Sequence, residues 1–376
     1  MKFFSLIVSL FLFISVNAQE RKSAEAYGIK IGVMQKGPTN SIVDVAGVKV
    51  GQVTLIVADS IRTGVTAILP HGDNLFQQKV PAAVFTGNGF GKLAGTTQIK
   101  ELGNIESPII LTNTLSVAEG INGVINYTLA QKGNEQVQSV NAVVGETNDG
   151  ALNDIRGKHV KVEHVLQAIN SASTQKPQQG NVGAGTGTVC FGFKGGIGTA
   201  SRKLPASLGG YTVGVLVQTN FGGVLQIDGV PVGEKLGRYS FSDQLQNPVD
   251  GSCMIVVATD APLDSRNLER LAKRAFMGLA KTGGIASNGS GDYVIAFSNN
   301  ASVLISHDSK TSTITTTVLR NDVMSPLFMA AIEATEEAII NSLFMATDMK
   351  GKGGRTIEAL PIDKVVPILK QYNRIN

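Results

Sequence analysis

Two long apolar segments in the second half of the chain constrain the fold more than any other feature. Residues 211–219 and 253–259 are rich in β-branched side chains, and neither alternates apolar with polar residues as a half-exposed strand does. Such segments are typical of strands buried on both faces. Apolar residues also recur at helical spacing over residues 268–279, after the cap-forming Asp264, and over residues 326–345. Buried strands flanked by amphipathic helices predict a layered α/β fold.

The rest of the chain shows shorter strand and helix patterns separated by Gly, Asn and Pro. The predicted strands cover residues 41–45, 48–57, 66–70, 137–144 and 293–297, and the predicted helices cover residues 116–132, 160–172 and 362–371. We interpret the polar segment 173–179 as a linker or lid, and the segment 233–248 as a loop that joins two parts of one domain.

The first 18 residues have the pattern of a secretory signal peptide. Lys2 precedes an apolar run over residues 3–16, and Val16 and Ala18 stand at the two small-residue positions before the expected cut after Ala18. The run is shorter than the roughly 20 residues needed to span a bilayer. We therefore expect removal of residues 1–18, a single mature domain over residues 19–376, a periplasmic or secreted location and no membrane attachment after cleavage.

Charge and cysteine content narrow the function classes. The chain has 33 Lys and Arg against 29 Asp and Glu without a long block of one sign, so no nucleic-acid partner is expected. With only Cys190 and Cys253, an exported protein of this size does not rely on a disulfide framework. Both cysteines are predicted to be buried thiols, and one bridge between them stays open. The four histidines are scattered without metal-binding spacing, so we expect no metal and no cofactor.

Two glycine-rich segments resemble phosphate-binding loops only superficially. Residues 183–187 and 195–198 lack the spacing of a dinucleotide-binding motif, and no Gly-Lys-Thr follows them. We interpret both as tight backbone turns. The chain also lacks a Gly-x-Ser-x-Gly elbow, so a histidine-assisted triad of the α/β-hydrolase kind has no nucleophile.

Reactive groups concentrate at residues 247–253, immediately before a predicted buried strand. A serine hydroxyl is a weak nucleophile without a base, and no histidine is close in sequence to Ser252. Cleavage between Gly251 and Ser252 would supply a base, because a free α-amino group has a pKa of about 7.7–8.0. The alternative, a simple turn that enters a strand, stays open on these residues alone.

Three further polar residues fit the same chemistry. Ser290 lies between glycines at a strand entrance, and Asp292 shares its side of the strand if the segment is extended. Ser290 could then hydrogen-bond the nucleophile while Asp292 orients it or stabilises an ammonium group. Asn220 ends the apolar segment 211–219, and a side-chain amide there could donate to an oxyanion.

Longer motifs around these residues resemble the L-aminopeptidase/D-esterase family, which includes the β-peptidyl aminopeptidases. The resemblance covers nearly all of the mature chain, with the motifs in the same order. The motifs are DVAGVKVG (44–51), TGVTAILP (63–70), NGFGK (88–92), LTNT (111–114), GETNDG (145–150), KGGIGTASR (194–202), VQTNFG (217–222), GSCMIVVATDAPL (251–263), KTGG (281–284) and SNGSGD (287–292).

The resemblance implies a four-layer αββα sandwich of the N-terminal-nucleophile-hydrolase type. It implies a precursor that cuts itself into an α chain, residues 19–251, and a β chain, residues 252–376, which remain associated and form a homo-oligomer. Ser252 would be the nucleophile and its freed amine the base. Ser290 and Asp292 would be the supporting pair, Asn220 an oxyanion donor, and Glu146 the carboxylate that receives the free amino group of the substrate.

Two positions depart from the family pattern. Some members carry an aromatic residue two places after the glutamate, whereas this chain has Asn148, so the preferred N-terminal residue cannot be transferred. Asp292 replaces the glutamate of the β-peptidyl enzymes and is one methylene shorter, which weakens an expectation of β-peptide specialisation.

The function expected from these features is that of an exported aminopeptidase or amidase. It would release N-terminal residues from short peptides, amides or esters through an acyl-enzyme on Ser252. One alternative is an acyltransferase of the ornithine acetyltransferase type, which would need an added amine acceptor. A second alternative is a non-catalytic binding protein on the same fold, which would remain uncut.

Overall fold

The computed structural model describes residues 20–242, 250–307 and 311–375, and for Asp250 the backbone alone. The expected signal peptide and residues 243–248 of the expected loop therefore lie outside the described residues. Among the described residues, no helix is both long and apolar enough to cross a membrane.

Helices of very different length are distributed along the described chain. The bounds are α1 Thr96–Leu102, α2 Val117–Leu129, α3 Val162–Asn170, α4 Val232–Lys235, α5 Ser265–Lys281, α6 Ser325–Phe344 and α7 Ile362–Gln371.

The strands lie before, between and after most of these helices along the chain. The bounds are β1 Lys49–Val57, β2 Ile61–Leu69, β3 Gln78–Gly89, β4 Leu93–Ala94, β5 Asn104–Ile105, β6 Ile109–Asn113, β7 Val143–Thr147, β8 Val189–Cys190, β9 Phe193–Lys194, β10 Gly196–Lys203, β11 Thr212–Asn220, β12 Asp250–Thr259, β13 Gly289–Ser298, β14 Ile305–Ser306, β15 Met349–Lys350 and β16 Thr356–Ile357.

Most strands belong to two mixed sheets. In the larger sheet the order is β10-β11-β12-β13-β3-β14, with β5 beside β3, and in the smaller sheet the order is β1-β2-β6-β7-β4. Strand β12 pairs antiparallel with β11 and parallel with β13, so it is hydrogen-bonded on both edges. The remaining strands form two small hairpins, β8-β9 and β15-β16.

The two sheets face each other, and each carries helices on its outer face. Three apolar clusters fill the spaces between these layers: one between α2 and α3 and the smaller sheet, one between the sheets, and one between the larger sheet and α5 and α6. Along β12, Met254 and Val256 point to the other sheet, whereas Ile255 and Val257 point to the helices. Because both faces are covered, the sequence of β12 is apolar from Cys253 to Ala258.

The second half of the chain follows the sequence-based predictions closely. Both apolar segments form central strands, and α5 begins after Asp264, whose Oδ1 accepts the Asn267 backbone N–H at 2.8 Å. Cys190 and Cys253 are free and buried, as predicted.

Some predictions for the first half are wrong. Residues 42–44 form a 3₁₀ turn instead of a strand, because the Asp44 carboxylate accepts backbone N–H groups of Thr39 and Ser41. The strand expected over residues 137–144 begins only at Val143, after Asn141 is bound to Glu106. The polar segment 173–179 is attached to β1 through backbone hydrogen bonds between Ser173 and Val50, and none of its residues lines the cavity beside Ser252.

The segment 195–198 is mostly strand and not a turn, because β10 begins at Gly196. Its glycines serve close packing: a Cβ on Gly198 would lie 1.9 Å from the carbonyl oxygen of Ala338 in α6. The helix backbone therefore rests directly on the strand. In the segment 183–187 the expected turn is present as a 3₁₀ turn at residues 183–185.

Gly198→Ala should lower the free energy of unfolding by about 3 kcal/mol, the upper end of typical overpacking costs, because neither backbone can move away easily. Urea-induced unfolding measures this change. Gly89→Ala is the matched control, since its Cβ would be 3.8 Å from the nearest atom, Thr86 Cγ2. Equal losses in the two variants would contradict the close contact of β10 and α6.

Candidate active site

Ser252 lies near the start of β12, and the strands on both sides of it are hydrogen-bonded to β12. Asn220 is its antiparallel partner on β11, and Gly291 is its parallel partner on β13. Ser252 is buried, its Oγ donates to the Gly251 carbonyl oxygen at 2.5 Å, and the Gly291 backbone N–H lies 3.3 Å from the same Oγ. The sheet therefore fixes the hydroxyl against the peptide bond that precedes it.

Gly251 is required by the close approach of the neighbouring strand. A Cβ at this position would lie 2.8 Å from Phe221 Cα and 3.1 Å from the Asn220 carbonyl oxygen. Any larger residue would push the two strands apart beside Ser252. The Gly-Ser pair singled out in the sequence thus has a packing reason as well as a chemical one.

Asn220 is buried at the end of β11 and lines the same cavity as Ser252. Its Oδ1 accepts the Val189 backbone N–H at 2.9 Å. This bond fixes the orientation of the amide, since the oxygen has to face the donor. The Nδ2 group is then the part of the side chain that can donate to a ligand.

Ser290 and Asp292 lie next to Ser252 on β13, but they do not contact its hydroxyl in this state. Ser290 pairs in register with Gly251, and Asp292 pairs with Cys253. Both side chains are almost completely buried. Among the described residues the Ser290 hydroxyl and the Asp292 oxygens meet no strict hydrogen-bond geometry, although the Ser290 hydroxyl and the Cys253 N–H are close enough to act on the Asp292 carboxyl.

Burial dominates the electrostatics of Asp292. Removal from water raises the pKa of its carboxyl to about 6, against smaller opposing effects of the Ser290 hydroxyl and the Cys253 backbone N–H. Near neutral pH the group is therefore mostly ionised, and a cation formed next to it would be stabilised.

The cavity beside Ser252 has a volume of about 520 Å³. Its wall combines residues from both sheets and from both halves of the chain. The wall includes Lys92, Thr114, Glu146, Asn148, Val189, Asn220, Ser252 and Arg355.

Glu146 places a buried carboxylate in this cavity. It lies near the end of β7, and its two oxygens accept the Thr114 hydroxyl and, at 3.0 Å, the Lys92 backbone N–H. The Lys92 ammonium is 3.9 Å away and is more than half exposed. The carboxylate is thus held by neutral donors, with one screened cation at the solvent side.

Asn148 also lines the cavity, two residues beyond Glu146, and its Oδ1 accepts the Gly150 backbone N–H at 2.9 Å. The cavity wall thus combines Glu146, Asn148, Asn220, Gly251 and Ser252, whereas Ser290 and Asp292 lie on the neighbouring strand β13 without lining it. Sequence reasoning missed the roles of Thr114, Lys92, Val189 and Arg355 in the wall. Thr114 and Lys92 end two of the motifs quoted above, which was an available signal; Val189 and Arg355 carry none.

A comparison with protein families agrees with this geometry. The sequence profile of peptidase family S58 matches residues 40–357, most of the chain. The chain belongs to peptidase family S58. The resemblance described from its motifs is thereby confirmed.

Similar proteins extend over nearly the whole chain. A β-peptidyl aminopeptidase of Sphingosinicella microcystinivorans is 43% identical over 361 residues, which cover 90% of each protein. The crystal structure of a Pyrococcus horikoshii protein matches with a TM-score of 0.87 at 47% identity, covering 94% of this chain and 100% of that chain. An L-aminopeptidase D-Ala-esterase/amidase of Ochrobactrum anthropi matches with a TM-score of 0.87 at 33% identity, covering 94% of this chain and 99% of that chain.

The Ochrobactrum protein is described as a prototype of the serine aminopeptidases and as a variant of the N-terminal-nucleophile-hydrolase fold. The four-layer αββα architecture expected for this family member is therefore confirmed. As an enzyme, the chain is a serine aminopeptidase of family S58.

Asp292→Asn should change stability in a pH-dependent way. The folded pKa of about 6 lies above the ordinary value of 3.8, so Asp292 favours folding only when protonated, and this contribution is lost as the pH rises through 6. Between pH 4 and pH 7 the asparagine variant should gain up to about 3 kcal/mol relative to the parent. Thermal unfolding of both proteins in a Ser252→Ala background measures the difference, and a pH-independent difference would contradict the raised pKa.

Proposed function

We propose that the protein is an exported aminopeptidase that cuts its own chain between Gly251 and Ser252 and then uses Ser252 as the nucleophile. Its substrates would be short peptides, amides or esters with a free N-terminal amine. The observation that carries the proposal is the Ser252 hydroxyl, held 2.5 Å from the Gly251 carbonyl oxygen in the wall of a cavity that also contains Glu146.

Self-cleavage follows from this position in two balanced steps. Ser252 Oγ attacks the Gly251 carbonyl carbon, the carbon–nitrogen bond breaks, and the hydroxyl proton ends on the nitrogen that becomes the α-amine. Water then hydrolyses the resulting ester, which releases the Gly251 carboxylate and restores the hydroxyl. The hydrogen bond from Oγ to the Gly251 carbonyl oxygen and the Gly291 N–H, 3.3 Å from Oγ, support the first step because they keep the hydroxyl next to the carbonyl.

After self-cleavage, the Ser252 hydroxyl is the nucleophile that attacks the substrate. The freed α-amine of Ser252, with an unperturbed pKa of about 7.7–8.0, takes the hydroxyl proton as Oγ attacks the substrate carbonyl. Ser290 and Asp292 lie next to this amine in register, and the ionised Asp292 carboxylate would stabilise the ammonium that forms. The leaving group departs with that proton, and water hydrolyses the acyl-enzyme.

Asn220 and Glu146 would position the substrate around the reacting carbonyl. The Asn220 amide, oriented by Val189, can donate from Nδ2 to the oxyanion of the tetrahedral intermediate. The Glu146 carboxylate can pair with the substrate ammonium, which accounts for attack at the N-terminal residue and not inside a peptide.

The proposal also includes export of the protein and association of its two chains. Residues 1–18 have the signal-peptide pattern, which supports export to the periplasm or the medium. The two chains formed by the cut would stay associated and form a homo-oligomer, as the family resemblance implies.

Ser252→Ala should abolish the cut, because no hydroxyl is left to attack Gly251. The intact mass of denatured wild-type protein should show two fragments, Gln19–Gly251 and Ser252–Asn376, and the variant should show one chain. Ser252→Cys is the matched control, since a thiol is also a nucleophile and should retain the cut. One uncut chain in the wild type, or two fragments in Ser252→Ala, would disprove self-cleavage by Ser252.

Glu146→Gln should weaken binding of amines at the N-terminal subsite. The inhibition constant of an amino-acid amide, measured as that of a competing substrate, should rise roughly tenfold, as expected for loss of a charge-assisted hydrogen bond. The inhibition constant of the matching desamino amide, which has no ammonium, should hardly change. If both inhibitors lose affinity equally, Glu146 does not receive the amine.

A further inference from the structure

We propose that Arg355 forms a carboxylate-binding subsite on the leaving-group side of the cavity, so that di- and tripeptides with a free C-terminus are preferred over their C-terminal amides. The inference rests on the proposed function, because it takes the N-terminal amine to lie at Glu146. It adds the chemical nature of the other end of the substrate.

Arg355 belongs to a hairpin that is attached to the rest of the protein by its backbone. The hairpin consists of β15 and β16, and the Gly351 N–H donates to the Arg355 carbonyl oxygen at 2.9 Å across the turn. The Lys352 N–H donates to the Leu152 carbonyl oxygen at 2.8 Å, and the buried Arg62 donates from Nε to the Lys350 carbonyl oxygen at 2.7 Å. Arg355 is therefore presented from an anchored element.

The guanidinium of Arg355 is available for a ligand. Arg355 lines the cavity together with Ser252, and its guanidinium has no carboxylate partner in the part of the chain that the structure describes. The neighbouring cation differs in both respects: Lys352 pairs with Asp154 at 3.6 Å and does not line the cavity. An arginine of this kind is suited to bind a carboxylate through two parallel hydrogen bonds.

The cavity thus contains opposite charges in different parts of its wall. Glu146 is buried and accepts hydrogen bonds from Thr114 and the Lys92 backbone, whereas Arg355 is exposed at the hairpin. Ser252 lines the same cavity. This arrangement matches a short zwitterion whose ammonium binds Glu146, whose scissile carbonyl meets Ser252 and whose carboxylate binds Arg355.

The size of the cavity limits the length of such a zwitterion. A sphere of 520 Å³ is about 10 Å across, and an extended dipeptide or tripeptide spans about 7–10 Å at roughly 3.5 Å per residue. Both charged ends of these peptides therefore fit in the cavity together. A longer peptide would carry its carboxylate beyond the reach of Arg355.

The experiment compares a free acid with its amide in three proteins. Dipeptides with N-terminal L-, D- or β-alanine followed by alanine are supplied as acid and as amide, and the fastest pair is used to measure kcat and KM. In Arg355→Gln, kcat/KM for the acid should fall about fivefold through KM, as expected for a partly exposed charge pair, and less than twofold for the amide. Lys352→Gln, which removes the neighbouring cation, should change neither value.

The outcomes separate the two proposals. If the wild type cleaves both members of the pair and Arg355→Gln lowers both equally or neither, the carboxylate subsite is wrong and the aminopeptidase proposal stands. An acid-selective loss in Lys352→Gln as large as that in Arg355→Gln would reduce the effect to general surface charge and would also overturn the subsite. If the wild type cleaves no member of any pair, the proposed function fails and this inference fails with it.

Discussion

Hydrogen bonding of β12 on both of its edges is the constraint on which the site depends. The antiparallel partner β11 places Asn220 beside Ser252, and the parallel partner β13 places Gly291 there. These two ladders fix the backbone of Ser252, and its hydroxyl is held by the Gly251 carbonyl oxygen and the Gly291 N–H. Gly251 is part of the same constraint, because the neighbouring strand leaves no space for a side chain at that position.

The cavity exists because the two sheets contribute different groups at one end of the sandwich. The larger sheet supplies Ser252 and Asn220, and the smaller sheet supplies Glu146. Between them, the buried Gln218 donates from Nε2 to Thr147 Oγ1 and to the carbonyl oxygens of Thr112 and Ala184. This polar contact joins the sheets one residue from Glu146 and two from Asn220, so the carboxylate and the amide are held at a set separation.

The sequence predicted the parts of the fold that local patterns determine. Continuous apolar runs gave β11 and β12, and a cap with an apolar stripe gave α5. Sequence patterns gave the wrong element where tertiary contacts determine the backbone. Hydrogen bonds to Asp44 form a 3₁₀ turn in a β-branched segment that was predicted as a strand. The close contact with α6 requires Gly198 in β10, and such glycines led to the wrong prediction of a turn. Ser252 and Glu146 were found from motifs, whereas Val189 and Arg355 reach the cavity only through long-range folding.

The strand order has a consequence for the physical state of a chain cut before Ser252. Strands β12 and β13 lie between β11 and β3, which both precede the cut, while α5 and α6, which follow it, cover the outer face of the larger sheet. The two pieces would therefore share one hydrophobic core instead of meeting at a docking surface. Their separation would be equivalent to unfolding, so the nicked protein would behave in solution as one cooperative body despite having four chain ends.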